Sequence, residues 1–548
     1  MTEHQIFGPP GCGKTVYASR QIRRAAEAYG ADRVMACSFT KAAAVELATK
    51  EVDGAKIPIP KAMIGTLHSL CYRALDAPAL AEAQTGDFSE KHPEYRLSGL
   101  SKPDLDDLGA GAEGGDATSS DGLLSQYQLL RARCVGREVW PLTVLGFAQS
   151  WERWKDSCGA MDFTDLIEYA PDRPPGEPRV LFVDEAQDMS ALQFRLVRKW
   201  AAAIDRAVLL ADDDQTIFSF TGADPASLLD ADIPPENRIV LKQSYRLPRA
   251  VHRYATAWIE QVSRRQAKEF LPRDAEGEVR ASEASLRAPG REIEEIQAAV
   301  ERGQSVMVLA SCGYMLRGWI QALREAGIPY GNPYRPARGD WNPLSRREGG
   351  TAQRVGSFAA SEGGRPSWTL WNLAQWTALV QVEGVLKRGA KAEIERLAED
   401  RPGYRPSAAE ISERWLTPEA ASATVLATAN WPTPAAMDWL AEHTVKPRQA
   451  PVNYAASIVR KAIAEARDAR VALTTAPLVT VGTCHSTKGA EADVVYLAPD
   501  LSPQAAEQWH RGALGRDEVR RVLYVGMTRA RERLVLLRPM GRLAVQLV

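Results

Sequence analysis

The sequence predicts an α/β protein built on two parallel-sheet cores with mainly helical insertions. Short apolar runs bounded by turn residues recur along the 548 residues: RVMACSF, RVLFVDE, AVLLADD, RIVLKQ, SVMVLAS, LVTVGT, DVVYLAP and RLVLLRP. Segments with helical spacing, such as RQIRRAAEAYG and LQFRLVRKWAAAI, separate many of them, and that alternation is the mark of parallel sheets. The runs fall in two groups, before and after about Ile239, which gives two cores rather than one.

Bulk properties narrow the class. The length fits roughly three or four domains. At 45% hydrophobic and 25% charged residues the composition is that of a globular protein. A formal net charge of -1 means that nucleic-acid binding has to come from local basic patches. The 7 cysteines form no CxxC pair and read as reduced thiols. MTEHQIFGPPGCGKT carries no apolar leader and no apolar run reaches membrane-spanning length, so a cytoplasmic protein is expected.

Taken in chain order, the first element is a short strand, QIF, followed by GPPGCGKT and a helix. Residues Gly8, Pro9, Pro10, Gly11, Cys12, Gly13, Lys14 and Thr15 fit the phosphate-loop pattern GxxxxGK[ST]. Its glycines let backbone N–H groups and the helix N-terminus face phosphate. Lys14 is expected to neutralise the β- and γ-phosphates of ATP, and Thr15 to ligate Mg²⁺. Asp104–Gly122 is acidic, Gly-rich and poor in large apolar residues, and reads as a loop. VLFVDEAQD ends an apolar strand in two carboxylates. There Asp184 would hold the hydrated Mg²⁺, and Glu185 would orient and deprotonate the attacking water. LLADDDQTIFSFTGAD sets three carboxylates, an amide and two phenylalanines after a strand; such a trio needs a metal or Lys/Arg partners, the remaining carboxylates facing water. From Tyr334 to about Val452 strand signals fade, while Trp341, Trp368, Trp371, Trp376, Trp415, Trp431 and Trp439 announce a helical insertion with its own core.

These motifs stand in the order of a known family. The sequence resembles the UvrD/Rep-type superfamily 1 DNA helicases. After the phosphate loop, CSFTKAAAVELA resembles motif Ia, IGTLHSLCYRAL motif Ib and VLFVDEAQD motif II. LLADDDQTIFSFTGAD resembles motif III, LKQSYRLPRAVH motif IV, VGTCHSTKGAEADVVYL motif V and RRVLYVGMTRARERLVLL motif VI. The resemblance implies RecA-like cores: 1A from residues 1–76 and 152–237, and 2A from 238–333 and 453–548. Residues 77–151 and 334–452 match only by position, as insertions 1B and 2B.

The resemblance also implies roles. Gln215 would touch the γ-phosphate, Arg246 and Arg529 would be arginine fingers, Tyr245 would stack on the base and Glu491 would contact the ribose. Phe220 stands where the family has a base-stacking Trp. Phe39, Thr40, His68, Thr483 and His485 would line the single-strand track, although a histidine near a strand end is often only a satisfied polar residue. Arg529 lies in TRARER after an expected helix start, and Arg531 and Arg533 read as solvated arginines of a basic helix. Only seven residues precede Gly8, which leaves the family's adenine-reading glutamine without a counterpart and ATP selectivity in doubt; Gln5 is too close to take that role.

The activity implied is an ATP-dependent helicase or translocase that moves 3′-to-5′ on single-stranded DNA by hydrolysing ATP between the two cores. Single-stranded DNA or single/double-strand junctions would be its substrate, and replication or repair proteins its partners. Two rivals stay open: a translocase that remodels protein–DNA complexes without unwinding, and a binding module in which ATP only sets DNA affinity.

Overall fold

The computed structural model describes residues 2–98, 119–336, 338–344, 348–424 and 430–547. They form two compact units. Met1–Val279, Thr487–Glu491 and Leu501–Leu534 make the first; Arg280–Ser486, Ala492–Asp500 and Val535–Val548 make the second.

The first unit holds a six-stranded sheet of β1 (Thr2–Phe7), β2 (Val34–Ser38), β3 (Ile64–Thr66), β4 (Val180–Asp184), β5 (Arg206–Ala211) and β6 (Arg238–Val240). The order is β3-β2-β4-β5-β1-β6 and every pairing is parallel. Both sheet faces are covered, so β2 and β4 are buried at every position and read as unbroken apolar runs. Alternation still sorts their side chains. Ile6, Ala36, Phe182 and Leu210 pack with Ile22 of helix Lys14–Tyr29, while Phe7, Cys37, Val183 and Leu209 pack with Trp200 of helix Ala191–Ala202. The register sets Phe7 beside Ala211 and Ser38 beside Asp184, so the chains leaving β1, β4 and β5 emerge along one edge of the sheet. Open α/β sheets carry their ligands at that carboxyl edge.

One strand belongs elsewhere than the sequence grouping has it. RIVLKQ, placed at the start of the second core, supplies β6, which pairs with β1 from Gln5↔Arg238 to Phe7↔Val240. Sheet membership is a tertiary choice that strand periodicity does not encode.

Around residues 81–160 a satellite core forms from Phe88, Tyr127, Phe147, Trp151 and Trp154. Helix Leu142–Cys158 runs unbroken through position 151, where the sequence reading ends the insertion. Of the loop read at Asp104–Gly122, residues 104–118 lie outside the described residues. The last four correct that reading: Ser119 caps helix Ser120–Ala132 by accepting from Gly122 N at 3.1 Å, and Gly122 is buried.

The second sheet comprises β7 (Glu278–Ala281), β8 (Val306–Ala310), β9 (Tyr330–Gly331), β10 (Val479–Thr483), β11 (Ala492–Leu497) and β12 (Ala530–Leu536), in the order β9-β10-β8-β11-β12-β7. The pairings among β9, β10, β8 and β11 are parallel. The Trp-rich stretch is helical, with one small hairpin at Ser361–Glu362 and Arg365–Pro366. Its core is not separate: Trp341, Trp368, Trp376, Trp415 and Trp431 share one continuous apolar cluster with Val308, Val481 and Tyr496 of the sheet. Helices too short to bury their own apolar stripes extend the sheet's core instead.

A last correction concerns TRARER. Helix Ala513–Met527 ends before it and β12 begins at Ala530, so Arg529 sits at a helix C-terminus rather than after a helix start. Arg531 and Arg533 lie on a strand, where they pair with Glu491 at 3.4 Å and Glu278 at 2.7 Å. No helix of the described residues is long and apolar enough to cross a membrane.

Candidate nucleotide site

The loop between β1 and helix Lys14–Tyr29 is fixed by its glycines. Gly11 and Gly13 have φ of 73° and 78°, the left-handed region that side chains disfavour. A Cβ on Gly11 would strike Arg246 Cβ, and one on Gly8 would meet Cys12 Sγ. Cys12 N bonds Pro9 O at 3.2 Å and Gly8 N bonds Ala211 O at 3.0 Å, which closes the curl. Lys14 Nζ donates to Gly8 O at 2.7 Å. Burial opposes its charge, but Cys12, Glu185, Asp212 and Asp184 around it raise its pKa above the ordinary lysine value. Segment 244–246 clasps the loop from outside: Ser244 Oγ bonds Pro10 O at 2.9 Å and Tyr245 N bonds Gly11 O at 2.8 Å.

At the end of β4 the two carboxylates have been given different environments. Asp184 is buried, and burial followed by repulsion from Glu185 pushes its carboxyl up to about 7. Its Oδ1 accepts from Glu185 N at 3.0 Å, and among the described residues it has no ion pair. Glu185 takes a positive φ of 54°. Burial disfavours its charge too, but Lys488 and then Lys14 hold its pKa below the usual range, so it is an ionised base at neutral pH. Carboxylate and hydroxyl oxygens of the kind Asp184 and Thr15 carry are the hard donors that suit Mg²⁺.

The three carboxylates after β5 are all buried, which corrects the expectation that some face water. Lys268, from a loop more than fifty residues onward, reaches Asp212, Asp213 and Asp214 at 2.7, 2.5 and 2.8 Å. Arg265 grips Asp214 in a two-pronged pair at 2.8 and 2.6 Å. Although these oxygens converge closely enough for a metal, an ammonium stands among them, and no cation site is assigned there. Gln187 Oε1 accepts from Asp212 N at 2.9 Å, which joins this segment to the one after β4.

Gln215 is held at both ends. Its Nε2 donates to Asp212 Oδ2 at 2.7 Å, and its Oε1 accepts from Arg529 Nη2 at 2.9 Å. Arg529 is 1% exposed, and its other partners are the carbonyls of Val525 and Ala490 and the Thr528 hydroxyl. All are neutral. Burial and then Arg246 bring its pKa down to about 9, against the pull of Glu185 and Glu491. Arg246 Nε pairs with Glu491 Oε2 at 2.7 Å. Burial works against the Glu491 charge, but Arg246, then Arg531, hold its carboxyl low.

Sequence reasoning missed Lys488 as well as Lys268. Lys488 Nζ bonds Asp188, donates to Gln215 O at 2.8 Å and stands 5.3 Å from the Phe218 ring centre. Its presence in KGAE, three residues before Glu491, was the available signal; Lys268 carries none.

The remaining site residues fall into three settings. Tyr245 is 74% exposed, its ring 3.9 Å from where a Gly13 Cβ would stand. Phe39 and Phe220 flank the buried Phe218, with ring centres 5.2 and 5.8 Å from it, and both are half-buried. Thr40 caps helix Lys41–Thr49 through Ala43 N. His68 lies edge-on to Phe163, and burial lowers its pKa to about 4, so it is neutral at physiological pH. In the second unit Thr483 is buried and its hydroxyl accepts from Ser486 N at 3.2 Å. His485 follows it, half-buried. Gln5 is buried on β1, donating to Leu228 O at 3.2 Å and accepting from Arg238.

Comparison with known proteins accords with this geometry. The AAA domain family matches residues 2–221, and the UvrD-like helicase C-terminal domain matches residues 443–538. DNA helicase II of Escherichia coli (strain K12) is 28% identical over 205 residues, which is 34% of this chain and 28% of that protein. ATP-dependent DNA helicase UvrD1 of Mycobacterium tuberculosis (strain ATCC 25618 / H37Rv) is 26% identical over 366 residues, 59% of this chain and 47% of the relative. ATP-dependent DNA helicase Rep of Escherichia coli (strain K12) is 36% identical over 102 residues, 16% of this chain and 15% of Rep. The chain thus matches less than half the length of each of these relatives. A phosphate loop, paired carboxylates after β4 and the Gln215–Arg529 contact lie in one unit, and over the matched stretches the chain is similar to the UvrD/Rep-type superfamily 1 helicases.

Proposed function

We propose that the chain is an ATP-dependent DNA helicase or translocase, hydrolysing Mg²⁺-bound ATP on the Gly8–Thr15 loop and moving 3′-to-5′ on single-stranded DNA. The observation that carries the hydrolytic part is the buried Arg529, whose partners are all neutral and which rests on Gln215. A buried cation without a counter-ion is costly, and a γ-phosphate alongside offsets that cost. In this reading the Lys14 ammonium leaves the Gly8 carbonyl for the β- and γ-phosphates. Thr15 and Asp184 hold Mg²⁺, which when bound draws charge from the phosphate oxygens. Glu185 takes the proton of the water that attacks the γ-phosphorus, while Arg529 and Arg246 stabilise the charge spread over the equatorial oxygens. Tyr245 stacks on the base and Glu491 serves the ribose.

The DNA part rests on the relatives' printed names and on the aromatic group Phe39, Phe218 and Phe220, which Lys488 adjoins. Of these, Phe220 is the proposed stacking platform, with Phe39, Thr40 and His68 as further DNA contacts of the first unit; Thr483 and His485 are proposed as contacts of the second. Direction of movement rests on the family alone. The two-core division of residues 1–76 with 152–237 and of 238–333 with 453–548 stays part of the proposal, modified by the β6 pairing.

Multiple-turnover ATP hydrolysis with and without single-stranded DNA is the first test, followed by strand displacement on duplexes with 3′ or 5′ tails. DNA-stimulated turnover and displacement from 3′ tails are expected. Nucleotide binding without turnover would make the chain a switch, and turnover without displacement a translocase only.

A further inference from the structure

Lys268 lies in a segment that none of the family motifs covers, yet its side chain is 1% exposed and ends on three carboxylates at once. An ammonium has three protons to donate, and Asp212 Oδ1, Asp213 Oδ1 and Asp214 Oδ2 receive it at 2.7, 2.5 and 2.8 Å. Its neighbours reinforce the grip. Gln266 N donates to Asp213 Oδ2 at 2.8 Å, Arg265 forks onto Asp214, and Arg521 Nε donates to the Asp213 carbonyl at 3.0 Å. Burial opposes the Lys268 charge, but the carboxylates raise its pKa above the ordinary value.

What this holds in place is the orientation of one amide. Asp212 accepts from Lys268 through Oδ1 and offers Oδ2 as an acceptor, to which Gln215 turns Nε2, at 2.7 Å. Its Oε1 then faces Arg529 Nη2, at 2.9 Å. Were the amide reversed, two donors would meet at Arg529 and two acceptors at Asp212. We infer that Lys268 is a positioning residue for ATP hydrolysis, acting through Asp212 to fix the Gln215 amide and, with it, the Arg529 guanidinium. This rests on the hydrolytic reading of Gln215 and Arg529 given above.

The test is a double-substitution cycle on the full chain, with kcat and KM for ATP measured at saturating single-stranded DNA. Lys268→Met is expected to lower kcat about tenfold or more while KM for ATP stays within about threefold, because the phosphate loop is untouched. Gln215→Ala is expected to lower kcat similarly, and the double variant to fall no more than about twofold below Gln215→Ala, since both changes remove the same arrangement. A lysine that merely stabilises the fold would lower kcat by the same factor in either background, and that result overturns the inference. So does a Lys268→Met kcat within about twofold of the unsubstituted chain. Should Lys268→Met not fold, Asp212→Asn, which keeps the shape and replaces the pure acceptor by an amide, takes its place in the cycle under the same two criteria. Failure of the hydrolytic reading itself shows separately, as absence of turnover in the unsubstituted protein.

Discussion

Lys14 rests on the Gly8 carbonyl and Glu185 is held ionised by Lys488 and Lys14, so their removal should have different signatures. Lys14→Ala should abolish hydrolysis and weaken ATP binding. Glu185→Gln should keep binding and lose turnover, since only proton abstraction from water is removed; near-normal DNA-stimulated ATPase in Glu185→Gln would defeat the proposed chemistry. Arg529→Ala and Arg246→Ala should each cut kcat by about 10²-fold or more with ATP binding largely kept, as measured by turnover and nucleotide titration. Phe220→Ala should leave basal ATPase intact and weaken single-strand binding by roughly 1–3 kcal/mol per base lost from the stack. Full-speed translocation by that variant would move the coupling role to Phe39 or elsewhere. The residues of phosphate loop and strand-end carboxylates were legible because their chemistry is local in sequence. Lys268 was not, because a charge partner more than fifty residues away is set by tertiary packing.

Strands read well from apolar runs, yet two element boundaries moved for physical reasons. β6 joined the first sheet by pairing with β1, and helix Ser120–Ala132 begins within the stretch read as an acidic loop because Ser119 finds an N–H at Gly122 to cap. Removing residues 104–118, a stretch acidic and poor in large apolar residues, should leave folding and basal ATPase nearly unchanged. A deletion extended to Gly122 strips the cap and first turn of helix Ser120–Ala132. Ser119→Ala by itself should cost about 1 kcal/mol in a denaturant titration. Equal stability of the shorter and longer deletions would show that the cap does not matter. That helix also brings Arg131 to Asp162 and Asp165, beside the Lys155 that spans the same two carboxylates, so loosening its start unsettles a buried charge cluster as well.

For the molecule as a whole, the family order of motifs was visible in the sequence while the way the chain shares its segments was not: Thr487–Glu491 and Leu501–Leu534 fold with the N-terminal unit, which gathers Lys14, Glu185, Gln215, Arg246, Lys488, Glu491 and Arg529. Sequence distance hides such sharing, since Arg529 and Gln215 are 314 residues apart. The clasp of segment 244–246 on the phosphate loop carries this further. Gly11 has no room for a side chain because Arg246 Cβ and Ser244 Oγ crowd it, and Gly11 O is occupied by Tyr245 N. Opening the loop thus means breaking contacts that belong to residues more than two hundred positions later. In native-state hydrogen exchange, the amides of Cys12 and Tyr245 should then open as one cooperative unit with a common free energy, and bound nucleotide should slow both by the same factor. Independent exchange at the two amides would mean that the loop opens by itself beneath a static clasp.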